Sequence, residues 1–275
     1  MQTILLHLLA ASLYAALGIH FWRACMQSGV KQPRQCMSSA ERLTLLAAIV
    51  AHGWALQDAL FPGDGMHFGF GFAISLVIWL AVCFYWIETF YARLDGLHGF
   101  VVSAGAAGSL LPLIFPGQHI LANAGSPAFR AHFIIAMLAY SLFTLAALHA
   151  MLMAIAERQL HSGRLTRGFA NLPPLLTMET LLFRLIGIAF LLLTLTLGSG
   201  VLFSESLFGQ AFRLDHKTIF AIVSWLLFGA LLVGRRIWGW RGRVALRWTL
   251  AGFVALVLAY VGSRFVVEVV LGRAA

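Results

Sequence analysis

Residues 213–225, RLDHKTIFAIVSW, gather ionisable side chains at the start of an apolar segment. Arg213, Asp215, His216 and Lys217 directly precede a run that soon becomes wholly apolar. An imidazole nitrogen is a suitable ligand for iron, zinc or copper. The stretch is therefore a candidate for coordination chemistry.

A second histidine lies in similar company, because His132 closely follows Arg130 at the start of another apolar segment. Haem needs an axial ligand and an apolar slot, and its propionates need Arg or Lys at the water boundary. The cations that could meet this last need are Arg130, Arg213, Lys217 and Arg264. The alternative is that they only anchor helix ends, with their charged groups reaching interfacial water.

The elements that must position these residues are membrane helices. Of the 275 residues, 61% are hydrophobic and only 11% are charged, which is far from the composition of soluble domains. A helix crosses the hydrocarbon core with about 20 apolar residues. We predict an all-α, polytopic membrane protein, a bundle of about eight transmembrane helices that forms one integral membrane domain over residues 1–275. The predicted spans are 3–22, 43–60, 67–86, 97–115, 130–155, 180–203, 217–234 and 247–270.

The cations of the short loops predict the orientation of the bundle. They concentrate after the first, fifth and seventh spans, and such loops remain in the cytoplasm. Both termini are then expected on the other side, and the net charge of +9 is mainly an orientation signal rather than a sign of nucleic-acid binding. The cations are Arg23, Lys31, Arg34 and Arg42; Arg158, Arg164 and Arg167; and Arg235, Arg236, Arg241, Arg243 and Arg247.

This orientation sorts the polar residues by depth. His132 and His216 are expected near the outer face, and His52 within the second span. An ionisable group in the membrane costs about 2.5–3.5 kcal/mol and therefore needs a partner or a function. We expect Glu179 to be neutralised by Arg184, and the small residues of 103–109 and 198–200 to allow close helix packing.

Several segments resemble the C-terminal half of the cytochrome c assembly family, which includes the haem-handling proteins CcsA, CcmC and CcmF, and most closely its shorter YpjD-like branch. The resemblance implies a protein of the bacterial inner membrane that holds haem b near the outer face. It identifies His132 as a haem-side histidine and His52 as an early intramembrane histidine. The segments are METLLFRLIGIAFLLLTLTLGSGVLFS (178–204), DHKTIFAIVSWLLFGALLVGRRIWGWRG (215–242), GFVALVLAYVGSRFV (252–266) and AHFIIAMLAYSLF (131–143).

The sequence departs from this family pattern in its external loop. The family has a tryptophan-rich loop ending in Trp-Asp-Pro-Lys-Glu, whereas LFSESLFGQAFRLDHKT has no tryptophan. Two family histidines correspond to Arg264 and Val233. Asp215 and Lys217 resemble the remnant of the family's Asp-x-Lys, and His216 between them is a candidate replacement ligand.

Two functions are open at this point. The chain is either a haem-handling protein, with an apocytochrome or another membrane protein as partner, or a non-enzymatic scaffold that kept the fold and lost haem delivery. The missing loop argues against haem-lyase activity, so enzyme status is open. A transporter ranks last, because inverted repeats and paired broken helices are not visible in the sequence.

Overall fold

The computed structural model describes residues 2–27, 37–61, 66–92, 96–116, 119–120, 124–161, 174–202, 215–262 and 265–270. These residues contain eight helices that are long and apolar enough to cross a membrane. The predicted fold class, an all-α polytopic membrane bundle, is confirmed. The helices are α1 (Gln2–Gln27), α2 (Ser39–Leu60), α3 (Phe70–Glu88), α4 (Leu97–Ile114), α5 (Pro127–His161), α6 (Leu175–Leu202), α7 (His216–Trp238) and α8 (Gly242–Val257).

Local signals explain where several helices begin and end. The α2 helix begins before the predicted residue 43, because the Ser38 hydroxyl accepts from the Glu41 backbone N–H and the Glu41 carboxylate accepts from the Ser38 N–H. Asp215 caps α7 in a similar way. At the other end of α7, Gly239 adopts a positive φ of 66°, which a glycine allows without strain.

Two further boundaries differ from the predicted spans. The α3 helix begins at Phe70 rather than at residue 67, because strand β1 (His67–Phe68) pairs with strand β2 (His119–Ile120) in antiparallel register. The α8 helix ends at Val257. Two π-helical segments follow it, Leu258–Gly262 and Phe265–Val270.

The helices pack as two groups of four. The first group contains α1 to α4, in which α1 packs against α2 and α4, and α3 packs against α2 and α4. In the second group, α5 packs against α6 and α8, and α7 packs against α6 and α8. The main contact between the groups is the seam between α3 and α5.

The second group is centred on aromatic side chains. Phe143 of α5 stacks on Phe228 of α7 with ring centroids 4.0 Å apart, and both side chains are fully buried. Ser224 adds a hydrogen bond from its hydroxyl to the Gly252 carbonyl of α8, 2.9 Å away. The residues that begin α5 and α7 are therefore held on a packed framework.

Candidate functional site

The site is built where α5 begins and α6 ends, which we call the His132 end of the bundle. His132 lies in the second turn of α5 and is half-buried. Its Nδ1 is hydrogen-bonded to the Ser199 hydroxyl of α6 at 2.8 Å. This hydrogen bond fixes the orientation of the imidazole. In proteins, a histidine that binds a metal is commonly oriented in the same way, by a hydrogen bond at its other ring nitrogen.

Small residues surround Ser199 in the last turns of α6. A β-carbon at Gly200 would lie 3.6 Å from Cε1 of His132, which is an ordinary contact distance. A β-carbon at Gly198 would meet no described atom within 4 Å. Gly200 therefore lies on the side of α6 that meets His132. Gly198 lies about 200° around the helix from Gly200, on the exposed side with Leu191 and Leu195, and the predicted close packing at Gly198 is not found.

The register between α6 and α7 places His216 at the same level. Trp225 donates its indole N–H to the Thr194 hydroxyl at 2.9 Å, and Arg235 contacts Glu179 nearer the other end of both helices. The two helices are therefore antiparallel. His216 lies nine residues before Trp225, or about 13 Å along the helix, so it lies level with the last turns of α6.

Cations flank both histidines. Arg130 is exposed, and its Nε donates to the Ala124 carbonyl at 2.8 Å. Lys217 and His216 are exposed in the first turn of α7. Two further predicted cations, Arg213 and Arg264, lie outside the described residues.

Asp215 fixes the start of α7. Its Oδ1 accepts from the backbone N–H and the hydroxyl of Thr218, both at 2.9 Å. Partial burial opposes ionisation of the carboxyl, but these hydrogen bonds and the neighbouring Lys217 charge outweigh it, and the pKa of Asp215 lies below its ordinary value. The ionised carboxylate therefore orders the turn that carries His216.

His52 has different neighbours and does not contact His132. It is fully buried, and its Nε2 is hydrogen-bonded to the Ser75 hydroxyl of α3 at 2.9 Å. The His7 ring of α1 lies 6.3 Å away between centroids, and the Tyr14 ring lies 5.9 Å away. Neither nitrogen of His7 has a hydrogen-bond partner among the described residues.

His7 was not among the predicted site residues. A weak signal existed, because His7 and Tyr14 are seven residues apart and so share one face of α1. Nothing in the sequence indicated that this face would meet His52. The candidate residues thus form two histidine neighbourhoods, one around His132 and one around His52.

Glu179 has a different partner from the one expected. Its carboxylate binds Arg235 of α7 at 2.5 Å, whereas Arg184 is exposed. The Arg235 guanidinium also lies 3.8 Å from the centroid of the Phe183 ring. The physical reason is that Glu179 and Arg184 are five residues apart, which places them about 140° around the helix from each other.

The donor set at the His132 end suits haem better than a bare metal ion. No group of three His, Cys, Asp or Glu side chains that could hold a metal occurs among the described residues. Haem brings four nitrogen ligands of its own and needs only one or two axial ligands from the protein. An oriented imidazole, a glycine beside it at position 200 and cations at the helix starts fit these demands.

Comparisons with known proteins agree on one family. The family model described as "Cytochrome C assembly protein" matches residues 40–271. The chain is similar to "Inner membrane protein YpjD" of Escherichia coli K12, with 30% identity over 236 residues, which cover 83% of this chain and 88% of the relative. No solved structure matches.

Two other relatives match over shorter regions. An "Uncharacterized 28.8 kDa protein" of Azospirillum brasilense is 36% identical over 143 residues, 51% of this chain and 52% of the relative. "Cytochrome c biogenesis protein CcsA" of Gloeobacter violaceus is 30% identical over 92 residues, 34% of this chain and 27% of the relative.

Proposed function

This chain belongs to the cytochrome c assembly protein family, and from that premise we propose that it holds haem at the His132 end of α5, α6 and α7. Family membership gives the chain a role in cytochrome c biogenesis as a multi-pass protein of the inner membrane. The proposal adds the place of the haem, its type, haem b, and the residues that bind it.

One observation carries the proposal: the His132 ring is oriented by the Ser199 hydroxyl and lies beside Gly200, which has no side chain. His132 is the proposed axial ligand. His216, at the same level on α7, is the proposed second ligand. The imidazoles bind and orient the group, and the missing side chain at Gly200 leaves room next to the His132 ring for its flat apolar surface.

The cations at this end complete the proposed site. Arg130 and Lys217 are placed to pair with carboxylates at the water boundary, and Arg213 and Arg264 are further candidates from the sequence. Bound haem supplies a redox-active iron, whose potential responds to its axial ligands and surroundings. His52 stays a predicted haem-binding residue, but it lies in the separate histidine neighbourhood with His7 and Ser75.

We propose that the His132 end faces the non-cytoplasmic side and that both termini lie on that side. The opposite end carries Arg235 and Arg236 in the last turn of α7 and Arg243 at the start of α8, and such cations favour the cytoplasm. Haem held at the outer face would be accessible to an apocytochrome or to a membrane partner. Labelling of single cysteines at each end in intact cells tests the orientation.

The absorption spectrum of the purified protein tests haem binding. We expect a Soret band in the native protein or after reconstitution with haem, and at least a tenfold loss of this band in His132→Ala. His216→Ala should shift or weaken the band. His161→Ala is the matched control, because His161 is an exposed histidine of the same helix at its other end.

A second function is favoured by the place of Val233, where the resemblance expects a histidine. Val233 is 49% exposed on α7, so that position faces away from the helix group and carries no ligand atom. A protein that lost haem delivery would use the bundle to stabilise a membrane partner. A native protein that stays colourless after reconstitution would favour this function and contradict haem binding.

A further inference from the structure

A second polar pair lies on the seam between the two helix groups, far from the His132 end. Glu88 is the last residue of α3, and His149 lies in α5. The His149 side chain is fully buried and the Glu88 side chain is 12% exposed. Their facing atoms, Nε2 of His149 and Oε2 of Glu88, are 3.7 Å apart.

The backbone fixes the tautomer of His149. Its Nδ1 lies 3.0 Å from the Leu145 carbonyl oxygen. A carbonyl oxygen only accepts, so Nδ1 must carry the hydrogen and donate. When the ring is neutral, Nε2 therefore presents a lone pair towards Glu88.

Both facing atoms are otherwise unsatisfied. Nε2 of His149 and Oε2 of Glu88 are buried and have no hydrogen-bond partner among the described residues. If both groups were deprotonated, a lone pair would face a buried carboxylate with nothing between them. Burying an unpaired charge in this way is strongly unfavourable.

The charged and titratable groups on the surrounding helices have other contacts. On α2, the Arg42 guanidinium donates to the Thr89 carbonyl at 3.0 Å and lies over the Phe90 ring. None of these contacts neutralises Glu88. Other such groups on the elements packed against α3 and α5 are also directed elsewhere. Arg184 of α6 and Arg247 of α8 are exposed. Those with described partners are Glu41, His52 and Asp58 of α2, bonded to His20, Ser75 and Thr3; His98 of α4, bonded to Tyr85; Glu179 of α6, paired with Arg235; Arg243 of α8, paired with Glu157; and Tyr260, against Tyr140.

We propose that Glu88 and His149 form a proton-binding site that holds one proton between them. The proton resides either on the carboxyl, which leaves two neutral groups, or on Nε2, which makes an imidazolium–carboxylate pair. Each state removes the isolated charge and gives the facing acceptors a hydrogen. Release of this proton would leave the seam between α3 and α5 with two opposed acceptors, so the site ties proton uptake to the contact between the helix groups.

The site differs in ligand and place from the proposed haem site. His149 follows His132 by 17 residues, or about 25 Å along α5, towards the end assigned to the cytoplasm. Its test does not depend on whether the protein binds haem.

Spectroscopy of the full-length protein in nanodiscs tests the proposal. With ¹⁵N-labelled histidine and infrared difference spectra, we expect the native protein at neutral pH to show either a protonated carboxyl from Glu88 or an imidazolium from His149. Raising the pH should remove this signal with release of one proton. A carboxylate and a neutral imidazole present together at neutral pH would overturn the proposal.

Variants assign the proton to this pair. Glu88→Gln should lose the titrating signal and release one proton fewer than the native protein, with the circular dichroism of a folded bundle. Glu41→Gln is the matched control, since Glu41 contacts the exposed His20 at 2.8 Å, and it should leave the signal unchanged. A signal that responds to added Zn²⁺ or to a chelator would assign a metal cation instead and contradict the proton.

Discussion

Two glycine-containing stretches that look alike in the sequence have different surroundings in the fold. In α4, a β-carbon at Gly105 would lie 3.1 Å from the Tyr14 ring of α1. A β-carbon at Gly108 would lie 2.8 Å from a methyl carbon of Ile78 in α3. In this stretch, small side chains allow helices to approach closely.

In α6 the two glycines have looser surroundings. A β-carbon at Gly198 would meet no described atom within 4 Å, and one at Gly200 would lie 3.6 Å from His132 among the described residues. The same residue type therefore allows close helix packing in the first helix group, whereas in the second group one glycine lies on the exposed side of α6 and the other lies beside an imidazole. The difference teaches that a small residue becomes a site candidate only when its neighbours are known.

The largest expected effect concerns how α6 is held, because the level of Ser199 and Gly200 relative to His216 depends on the position of α6 against α7. Glu179→Ala leaves Arg235 without its carboxylate, and breaking such a partly buried pair should lower the free energy of unfolding by about 3 kcal/mol. The measurement is unfolding in SDS followed by circular dichroism. Arg184→Ala is the matched control, and its effect should stay within about 0.5 kcal/mol because Arg184 is exposed. Equal effects of the two changes would contradict the contact between α6 and α7.

This pair also marks a limit of sequence reasoning. The eight helices were predictable because each needs one long apolar segment, which is a local property. The Glu179 contact was not predictable, since its partner lies 56 residues away on another helix. The helices that begin at Ser39 and Phe70 differ in their first residue from the predicted spans. The reasons are a capping box in one case and a short strand in the other, and the apolar pattern alone indicates neither.

The candidate site was likewise predictable only in part from the sequence. His132 was predicted by its place at the start of an apolar segment and by the family resemblance. Its contact with Ser199 was not, because serine occurs often and the pairing arises only when α5 and α6 pack. The separate surroundings of His52, with His7 and Ser75, likewise depend on how three helices meet.

The next prediction compares the two glycine stretches directly. Gly108→Ala places a methyl group 2.8 Å from the Ile78 side chain, and such overpacking should cost about 1–3 kcal/mol. Gly198→Ala should change stability by no more than about 0.5 kcal/mol. Unfolding of both variants in SDS measures the difference. If Gly198→Ala proves as destabilising as Gly108→Ala, the side of α6 that carries Gly198 is packed rather than exposed.

A smaller effect concerns the space beside the His132 ring. Gly200→Leu places a side chain next to this ring and should weaken haem binding about tenfold, or 1.4 kcal/mol. Haem titration followed at the Soret band measures the affinity. Gly198→Leu is the control, because a β-carbon at Gly198 meets no described atom within 4 Å and lies on the other side of α6. Equal losses of affinity in both variants would remove Gly200 from the proposed site.

The smallest effect concerns the cap that orders the first turn of α7. Asp215→Ala removes the acceptor for Thr218 and should cost about 1 kcal/mol at neutral pH, whereas Asp215→Asn keeps a capping oxygen and should cost less. The folded pKa of Asp215 lies below its ordinary value. Its contribution is therefore fully present above the unfolded pKa and is lost as the pH falls through the folded pKa. Unfolding measured over an acid pH series should show the free energies of unfolding of the native protein and Asp215→Ala converging as the pH falls. A constant difference across the series would show that the ionised carboxylate does not stabilise the turn that carries His216 and Lys217.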